Sequence, residues 1–175
     1  MAILAATGTL AAACGGNSAP DSLTGADVTN IGAGTADGTT VSGTYVVSGG
    51  TLDGCVCRQG SCSAFKPPMT GQYTVTQNNG ALTMLFEDSL GTTSSYAGGV
   101  NKDDTFTVGA DQMNVNSDLV QIEHLWTLLT GSFTLTNQQP SAFHSKLRMT
   151  GLFQFLGQTN DCDLQGTLDA KFVGP

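Results

Sequence analysis

Four cysteines are the residues of this chain whose types and spacing most directly suggest chemistry, namely Cys55, Cys57, Cys62 and Cys162. Three of them fall within one short stretch as Cys-x-Cys-x4-Cys, an arrangement that could hold a soft metal ion through thiolates. The stretch lacks the paired Cys-x2-Cys spacing of structural zinc sites, and no histidine lies near it in the sequence. In an exported chain, an even number of cysteines indicates disulfide bonds instead. We therefore expect two disulfides here and no bound metal.

The two histidines are the remaining candidates for proton transfer or ligand binding. The alternation of apolar residues predicts His124 on the apolar face of a strand, beside Ile122 and Trp126, where it could be a ligand or a hydrogen-bonded core residue. His144 falls on the polar face of its strand and is predicted to be solvated. No Ser/His/Asp arrangement, phosphate-binding loop or dinucleotide fingerprint is visible. The sequence therefore predicts neither an enzyme nor a cofactor.

Length and charge narrow the classes of partner. The chain has 175 residues, which is enough for one domain with a core. Its 14 acidic and 6 basic residues give a net charge of −8. Binding to nucleic acid requires clustered Lys and Arg, and electrostatic adhesion to anionic lipid also requires positive charge. We therefore expect no nucleic acid among the partners, and the net charge disfavours adhesion to anionic lipid.

One short strand pattern recurs along the chain and determines the predicted fold class. Residues 70–77 read TGQYTVTQ, near-copies occur at 42–48 and 130–137, and a looser copy occurs at 165–172. An apolar period of two is typical of half-buried β-strands. The pattern predicts an all-β chain with eight or nine short strands in hairpin order, as an up-and-down barrel or a β-sandwich. Short sequential connections and the absence of free edges in a closed sheet favour the barrel.

The predicted barrel domain occupies residues 41–175. Its predicted strands are 41–48, 70–77, 81–88, 95–100, 105–109, 119–129, 130–137, 141–156 and 162–172. Alternation predicts that the large side chains face inward, namely Tyr45, Tyr73, Phe86, Phe106, Trp126 and Phe153. In outline the barrel resembles that of the lipocalins. The resemblance is one of architecture, and no functional residue is transferred from it.

The N-terminal stretch resembles the lipobox signal of bacterial lipoproteins. It reads MAILAATGTLAAAC, an apolar segment with three alanines directly before Cys14, and a polar run follows. The resemblance implies that residues 1–13 are a signal peptide and that Cys14 becomes a lipid-bearing N-terminus. Small and polar residues dominate from there to residue 40, which is typical of a flexible linker. We therefore expect residues 14–40 to tether the barrel to a membrane of the bacterial cell envelope, facing the periplasm or at the cell surface.

A closed barrel also predicts how the cysteines pair. Its last strand lies beside its first, which brings Cys162 toward the predicted loop 55–68. Because Cys55 continues the first strand, we expect one disulfide between Cys55 and Cys162 and a second between Cys57 and Cys62. Pairing of Cys162 with Cys57 or Cys62 would leave the barrel prediction intact and change only its register.

These features predict a non-enzymatic binding module anchored in the cell envelope. An eight-stranded barrel is just wide enough to fill itself or to hold one small ligand. We expect the ligand to be a small apolar molecule or a protein partner, and the candidate contact residues are Tyr45, Tyr73, His124 and Trp126. Two alternatives stay open. One is a purely structural or interaction protein that presents loops 55–68 and 110–118, and the other is an enzyme built around His124.

Overall fold

A computed structural model gives the fold, and it describes residues 22–58, 69–116, 121–155 and 158–175. The described residues form one five-residue helix and eight strands. The helix α1 spans Gly25–Thr29, and the strands are β1 (Gly43–Cys57), β2 (Gly71–Asn78), β3 (Ala81–Asp88), β4 (Thr93–Val100), β5 (Thr105–Asn116), β6 (Gln121–Thr136), β7 (Gln139–Phe155) and β8 (Gln158–Gly174). Within the described ranges, no helix has the length and apolar character needed to cross a membrane.

The eight strands close into one antiparallel up-and-down barrel, which confirms the predicted fold class. Each strand pairs with the next along the chain, and β8 pairs with β1 from Thr44↔Gly174 to Cys57↔Cys162. The nine predicted segments become eight strands because 119–129 and 130–137 belong to the single strand β6. Closure of the sheet rules out the alternative sandwich.

Aromatic side chains pack against one another inside the barrel. The ring centroid of Tyr45 lies 5.7 Å from that of Phe133, 5.4 Å from that of Phe143 and 5.3 Å from that of Phe172. Tyr73 joins the same group, 5.4 Å from Phe143. Tilted and edge-to-face contacts of this kind add to the stabilisation from burial alone. The barrel is therefore packed by side chains in the region where these rings meet.

Residues with positive φ angles form hairpin turns of the barrel, and two of these turns bear on the predictions. Asn79 in the β2–β3 turn has a φ of 53°, as expected of Asn in a predicted Asn-Gly turn. The β6–β7 turn is formed by Asn137 and Gln138, with φ angles of 53° and 62°. That turn lies one residue earlier than the predicted Gln-Gln-Pro turn at 138–140. Gln138 thus occupies the left-handed region, which is costly for a residue with a Cβ.

Unequal strand lengths give the barrel two different ends. Strands β2, β3 and β4 have eight residues each, whereas β1 and β5–β8 have between 12 and 17. We name the end with the turns at 79–80 and 137–138 the closed end, and the other the long-strand end. Because β1 and β5 are longer than predicted, residues 55–57 belong to β1 and residues 110–116 to β5. The predicted loops 55–68 and 110–118 are therefore wrong for these residues, while 59–68 and 117–118 lie outside the described part of the chain.

Strand β6 buries the set of side chains opposite to the predicted one. Its pairing with β5 is regular from Thr105↔Ser132 to Asn116↔Gln121, so its side chains alternate between the two faces without a break. Because Phe133 is buried inside the barrel, the odd-numbered residues face inward. The prediction that His124 and Trp126 face the interior is therefore wrong, because both lie on the outer face. The residues of β6 that are buried inside are Leu125, Thr127, Leu129 and Phe133.

The segment before β1 packs along the outside of the barrel, and we name residues 22–41 the strap. Its side chains Leu23 and Val28 are buried, although they lie outside the main core cluster. Its backbone also bonds to the barrel, since Gly34 N donates to Gly80 O at 2.8 Å. The predicted flexible linker is therefore wrong for residues 22–40. Residues 14–21 lie outside the described part of the chain.

Glycines on the outer surface allow the strap backbone to approach closely. A Cβ at Gly109 of β5 would overlap the backbone of Val28, and a Cβ at Gly99 of β4 would overlap residues 32–34. Gly80, in the β2–β3 turn, is in equally close contact with Gly34. Only a residue without a side chain fits such positions. The three glycines thus form a track that the strap follows across β5, β4 and the β2–β3 turn.

Candidate functional site

The disulfide that links the first and last strands joins Cys57 to Cys162. The predicted Cys55–Cys162 pair is therefore wrong. Cys162 is bonded to Cys57, two residues further along β1, because β1 stays paired with β8 as far as Cys57. Cys55 is also disulfide-bonded, which agrees with the expectation of more than one bridge. The predicted Cys57–Cys62 pair is wrong as well, because Cys57 is bonded to Cys162. Cys62 itself and Cys14, the predicted lipid-bearing residue, lie outside the described residues.

Two of the four predicted ligand contacts, Tyr45 and Tyr73, are core residues. Tyr45 is fully buried, and its hydroxyl donates a hydrogen bond to the carbonyl oxygen of Val41 at 2.8 Å. Tyr73 is 2% exposed, and its ring lies 4.7 Å from that of Phe86. Burial raises the pKa of both hydroxyls above the usual range. Contact between a ligand and either ring would require this packing to open.

The other two predicted contacts, His124 and Trp126, lie together on the outer face of β6. Their rings are stacked, with centroids 5.4 Å apart. His124 Nδ1 lies 3.5 Å from Asp111 Oδ1 on β5, and both side chains are about one-third exposed. Beside them the first residue of α1, Gly25, stands over the indole nitrogen of Trp126. The β5–β6 pairing, in which Asp111 is opposite Trp126, therefore brings these three side chains to one place on the surface.

Two exposed apolar residues extend this place toward the long-strand end. Met113 is 64% exposed and is the direct cross-strand partner of His124. Leu90 is 89% exposed in the turn that joins β3 to β4. Strand β4 still lies beside β5 near Met113, as shown by the hydrogen bond that Gln112 Nε2 donates to Ser94 Oγ at 2.9 Å. We name the surface formed by Leu90, Asp111, Met113, His124 and Trp126 the outer patch.

The sequence pointed to only part of the outer patch. Alternation along the predicted strand 119–129 singled out His124 and Trp126, although it assigned them to the wrong face. Asp111 and Met113 fell in a predicted loop and were missed. Their signal is the continued alternation of β5, in which Phe106, Val108 and Ala110 face inward and the residues between them face outward.

The chemistry available at the outer patch is that of recognition. His124 and Asp111 form a polar pair, while Trp126 and Met113 supply apolar contact area. Trp126 Nε1 is buried and has no hydrogen-bond partner among the described residues. Within the described residues, no three His, Cys, Asp or Glu side chains form a group that could hold a metal ion. Aromatic residues and methionine are enriched in protein interfaces, where they provide contact area and adapt to a partner's shape.

A second candidate site is a concavity at the closed end, between the strap and the barrel. It has a volume of about 320 Å³ and lies beside the ion pair of Lys102 Nζ with Asp37 Oδ2, whose distance is 3.1 Å. The walls include both polar and apolar side chains, among them Gln77 and Leu135. The side chains of Lys102 and Asp37 are 66% and 83% exposed. This rim is therefore mostly solvated, and the outer patch is the stronger candidate.

Comparison with known proteins adds no relative to this picture. No family model matches the chain. No curated protein and no solved structure matches it either. The function is therefore argued from the geometry of the barrel, the strap and the outer patch.

Proposed function

We propose that this protein is a non-enzymatic binding module of the bacterial cell envelope, held to a membrane by a lipid on Cys14, and that it binds a protein partner through the outer patch. The observation that carries the proposal is the exposure of Met113 next to the stacked rings of His124 and Trp126, with Leu90 exposed in the β3–β4 turn at the same end of the barrel. Elsewhere, the outer positions of β2–β4 are mostly Thr, Ser, Gln and Ala. A cluster of exposed apolar and aromatic side chains on such a surface is typical of an interaction site.

The packed interior supports a partner on the outside of the barrel. Tyr45 and Tyr73, which the sequence offered as contacts for a small apolar ligand, are held in mutual ring contacts with their neighbours. A ligand in that region would have to displace rings that already fill the space. The outer patch requires no such rearrangement, and we therefore favour the protein partner over the small apolar ligand.

Charge indicates what kind of partner would fit. Asp111 lies within the outer patch, and Glu87 and Asp88 lie at the end of β3 just before the turn that carries Leu90. The whole chain has a net charge of −8. Complementary charge speeds association and selects partners. The expected partner therefore presents an apolar residue surrounded by Lys or Arg.

Site-specific photo-crosslinking in the native envelope tests the proposal. A photo-reactive amino acid at Met113 should give one discrete protein adduct, and the same amino acid at Thr83, exposed on β3, is the matched control. The adduct at Met113 should be lost when Leu90→Asp is added, and it should decrease at high salt. Equal adducts at the two positions, or an adduct that Leu90→Asp leaves unchanged, would contradict binding through the outer patch.

The anchor has its own test. Labelled fatty acid should be incorporated into the intact protein by a bacterial host, and Cys14→Ser should remove both the label and the association with membranes. Retention of the label or of the membrane association in the variant would refute a lipid on Cys14.

A further inference from the structure

The concavity at the closed end has an apolar floor that continues the barrel core. Val41 and Val100 line it, and both are 1% exposed members of the core cluster. Leu135, which also lines it, is partly buried and packs against the same cluster. An apolar group placed in the concavity would therefore lie on the end of the core and be shielded from water, which favours its binding.

The strap forms one wall of the concavity, and hydrogen bonds to the barrel hold that wall in place. Ala36 N donates to the carbonyl oxygen of Val100 at 3.0 Å. Val41 N donates to Oε1 of the buried Gln77 side chain, also at 3.0 Å. Because the wall is already ordered, binding costs little further conformational freedom. The volume of about 320 Å³ is in the range of sites for small molecules.

One carboxylate of the concavity has no counter-ion. The charged residues that line it are Asp37, Lys102 and Asp104. Lys102 Nζ lies 3.1 Å from Asp37 Oδ2, so these two charges neutralise each other. The side chain of the partly buried Asp104 forms no hydrogen bond or ion pair within the described part of the chain. Its neighbour Asp103, whose carboxylate accepts a hydrogen bond from Thr105, adds a second negative charge to the same turn.

We propose that the concavity binds a small amine with one positive charge, whose ammonium group pairs with the Asp104 carboxylate and whose apolar body lies on Val41, Val100 and Leu135. An ammonium group donates strong hydrogen bonds to a carboxylate. The net charge of the chain, −8, has the same sign as the local charge and attracts a cation as well. This inference rests neither on the outer patch nor on a lipid at Cys14.

The same charges disfavour an anionic ligand. Lys102 is the one cation among the described lining residues, and an anion would have to compete with Asp37 for it. That anion would also lie near Asp104 and be repelled by it. A neutral molecule with the same apolar body would keep the contact with the floor and lose only the ion pair. We therefore expect affinity to fall from amine to alcohol to carboxylate.

NMR titration of the full chain measures this order with matched probes. Hexylamine, which is a cation near neutral pH, should bind several-fold more tightly than hexanol, and hexanoate should bind more weakly than either. Butylamine should bind roughly tenfold more weakly than hexylamine, because it buries two fewer methylene groups. The amide shifts caused by hexylamine should be largest at residues 36–41 and 100–104.

Two variants of one turn test the role of the carboxylate. Asp104→Asn should reduce hexylamine affinity to that of hexanol. The turn should be retained, because Asn tolerates the φ of 64° that Asp104 adopts. Asp103→Asn is the matched control, since it removes the same charge from a residue that does not line the concavity. It should change the affinity much less.

The same titrations can overturn the proposal. Hexanoate that binds as tightly as hexylamine, or hexylamine that binds equally to Asp104→Asn and to the unchanged protein, would contradict an amine paired with Asp104. Shifts concentrated at the outer patch would place the amine at another site and refute this one. Nα-acetyl-lysine methylamide carries a similar ammonium group on a peptide unit and should bind more weakly than hexylamine. Tighter binding of this peptide probe would assign the concavity to a lysine of a protein in place of a free amine.

Discussion

Substitution of Gly109 by alanine tests whether the strap is a structural part of the barrel. On an open strand, alanine in place of glycine should stabilise the protein by about 0.5–1 kcal/mol, because glycine loses more conformational freedom on folding. At Gly109, however, the new Cβ would overlap the carbonyl oxygen, Cα and Cβ of Val28. The strap must then move away from β5, and the sign of the effect on stability should reverse.

The magnitude follows from the burial of Val28, which is 3% exposed. Exposing a fully buried valine side chain costs about 1.5–3 kcal/mol. After subtraction of the gain expected from removing a glycine, Gly109→Ala should lower the free energy of unfolding by about 1–2 kcal/mol. Gly49→Ala is the matched control, because its Cβ would meet only Asp169 Oδ2, at 3.8 Å. That variant should be neutral or slightly more stable.

Chemical denaturation measures the two free energies of unfolding, and hydrogen exchange shows where the change occurs. In Gly109→Ala the amides of α1 and of residues 30–36 should lose protection, while those of β2 and β3 should keep theirs. A Gly109→Ala protein that is as stable as the Gly49→Ala control, with its strap amides still protected, would refute the conclusion that the strap depends on the glycine track.

Three further predictions concern a turn, the disulfide and the tyrosines. Gln138→Gly should raise the free energy of unfolding by about 0.5–1 kcal/mol, because it removes a Cβ from a left-handed position, whereas Gln139→Gly in the following strand should lower it; denaturant titration compares the two. Replacing Cys57 and Cys162 by serine should lower the free energy of unfolding by up to about 4.7 kcal/mol in the chain-entropy model, since the bridge spans 105 residues; an unchanged melting temperature would contradict this. Burial raises the pKa of Tyr96 to about 12, so the folded protein keeps a proton that the unfolded chain loses above about pH 10. The free energy of unfolding should therefore fall between pH 10 and 12. Absorbance at 295 nm should show ionisation of Tyr96 only as the protein unfolds.

The sequence predicted the barrel well because alternation is decisive where one face is buried. Strand β3 was predicted with its observed bounds, Ala81–Asp88, and Leu82, Met84 and Phe86 face inward as expected. The last strand also has its predicted inner face. From Asp163 to Lys171 the outward residues of β8 are all polar, and β3 carries one large apolar residue, Leu85, on its outer face, so a single register hides most of the apolar side chains.

The strap could not be predicted from composition. Its glycines, threonines and alanines read as a linker, because no apolar period is visible between residues 22 and 40. The packing instead comes from isolated residues, Leu23 and Val28, and from backbone bonds to the barrel. The complementary signal lies far away in sequence, in the outward glycines of β4 and β5. A local reading of either segment cannot detect that the two fit together.

The orientation of β6 explains why the candidate site was found on the wrong side of the sheet. The strand carries apolar residues at both parities, Leu125 and Leu129 in one set and Trp126 and Leu128 in the other. Alternation alone therefore cannot choose the buried face. The choice is made by continuity with Phe133, which is 5% exposed and packs 4.9 Å from Phe106 inside the barrel.

Once the odd set is inside, Trp126 must face outward, and a large indole there needs partial cover. The first residue of α1 provides it, because Gly25 lies directly beside the indole nitrogen of Trp126. His124 and Asp111 then remain at the edge of that cover, each about one-third exposed. The alternation of β6 that places Trp126 outside and the strap that shields this residue are thus linked by one packing requirement. Their joint result is a surface where an aromatic ring, a histidine and an exposed methionine lie side by side.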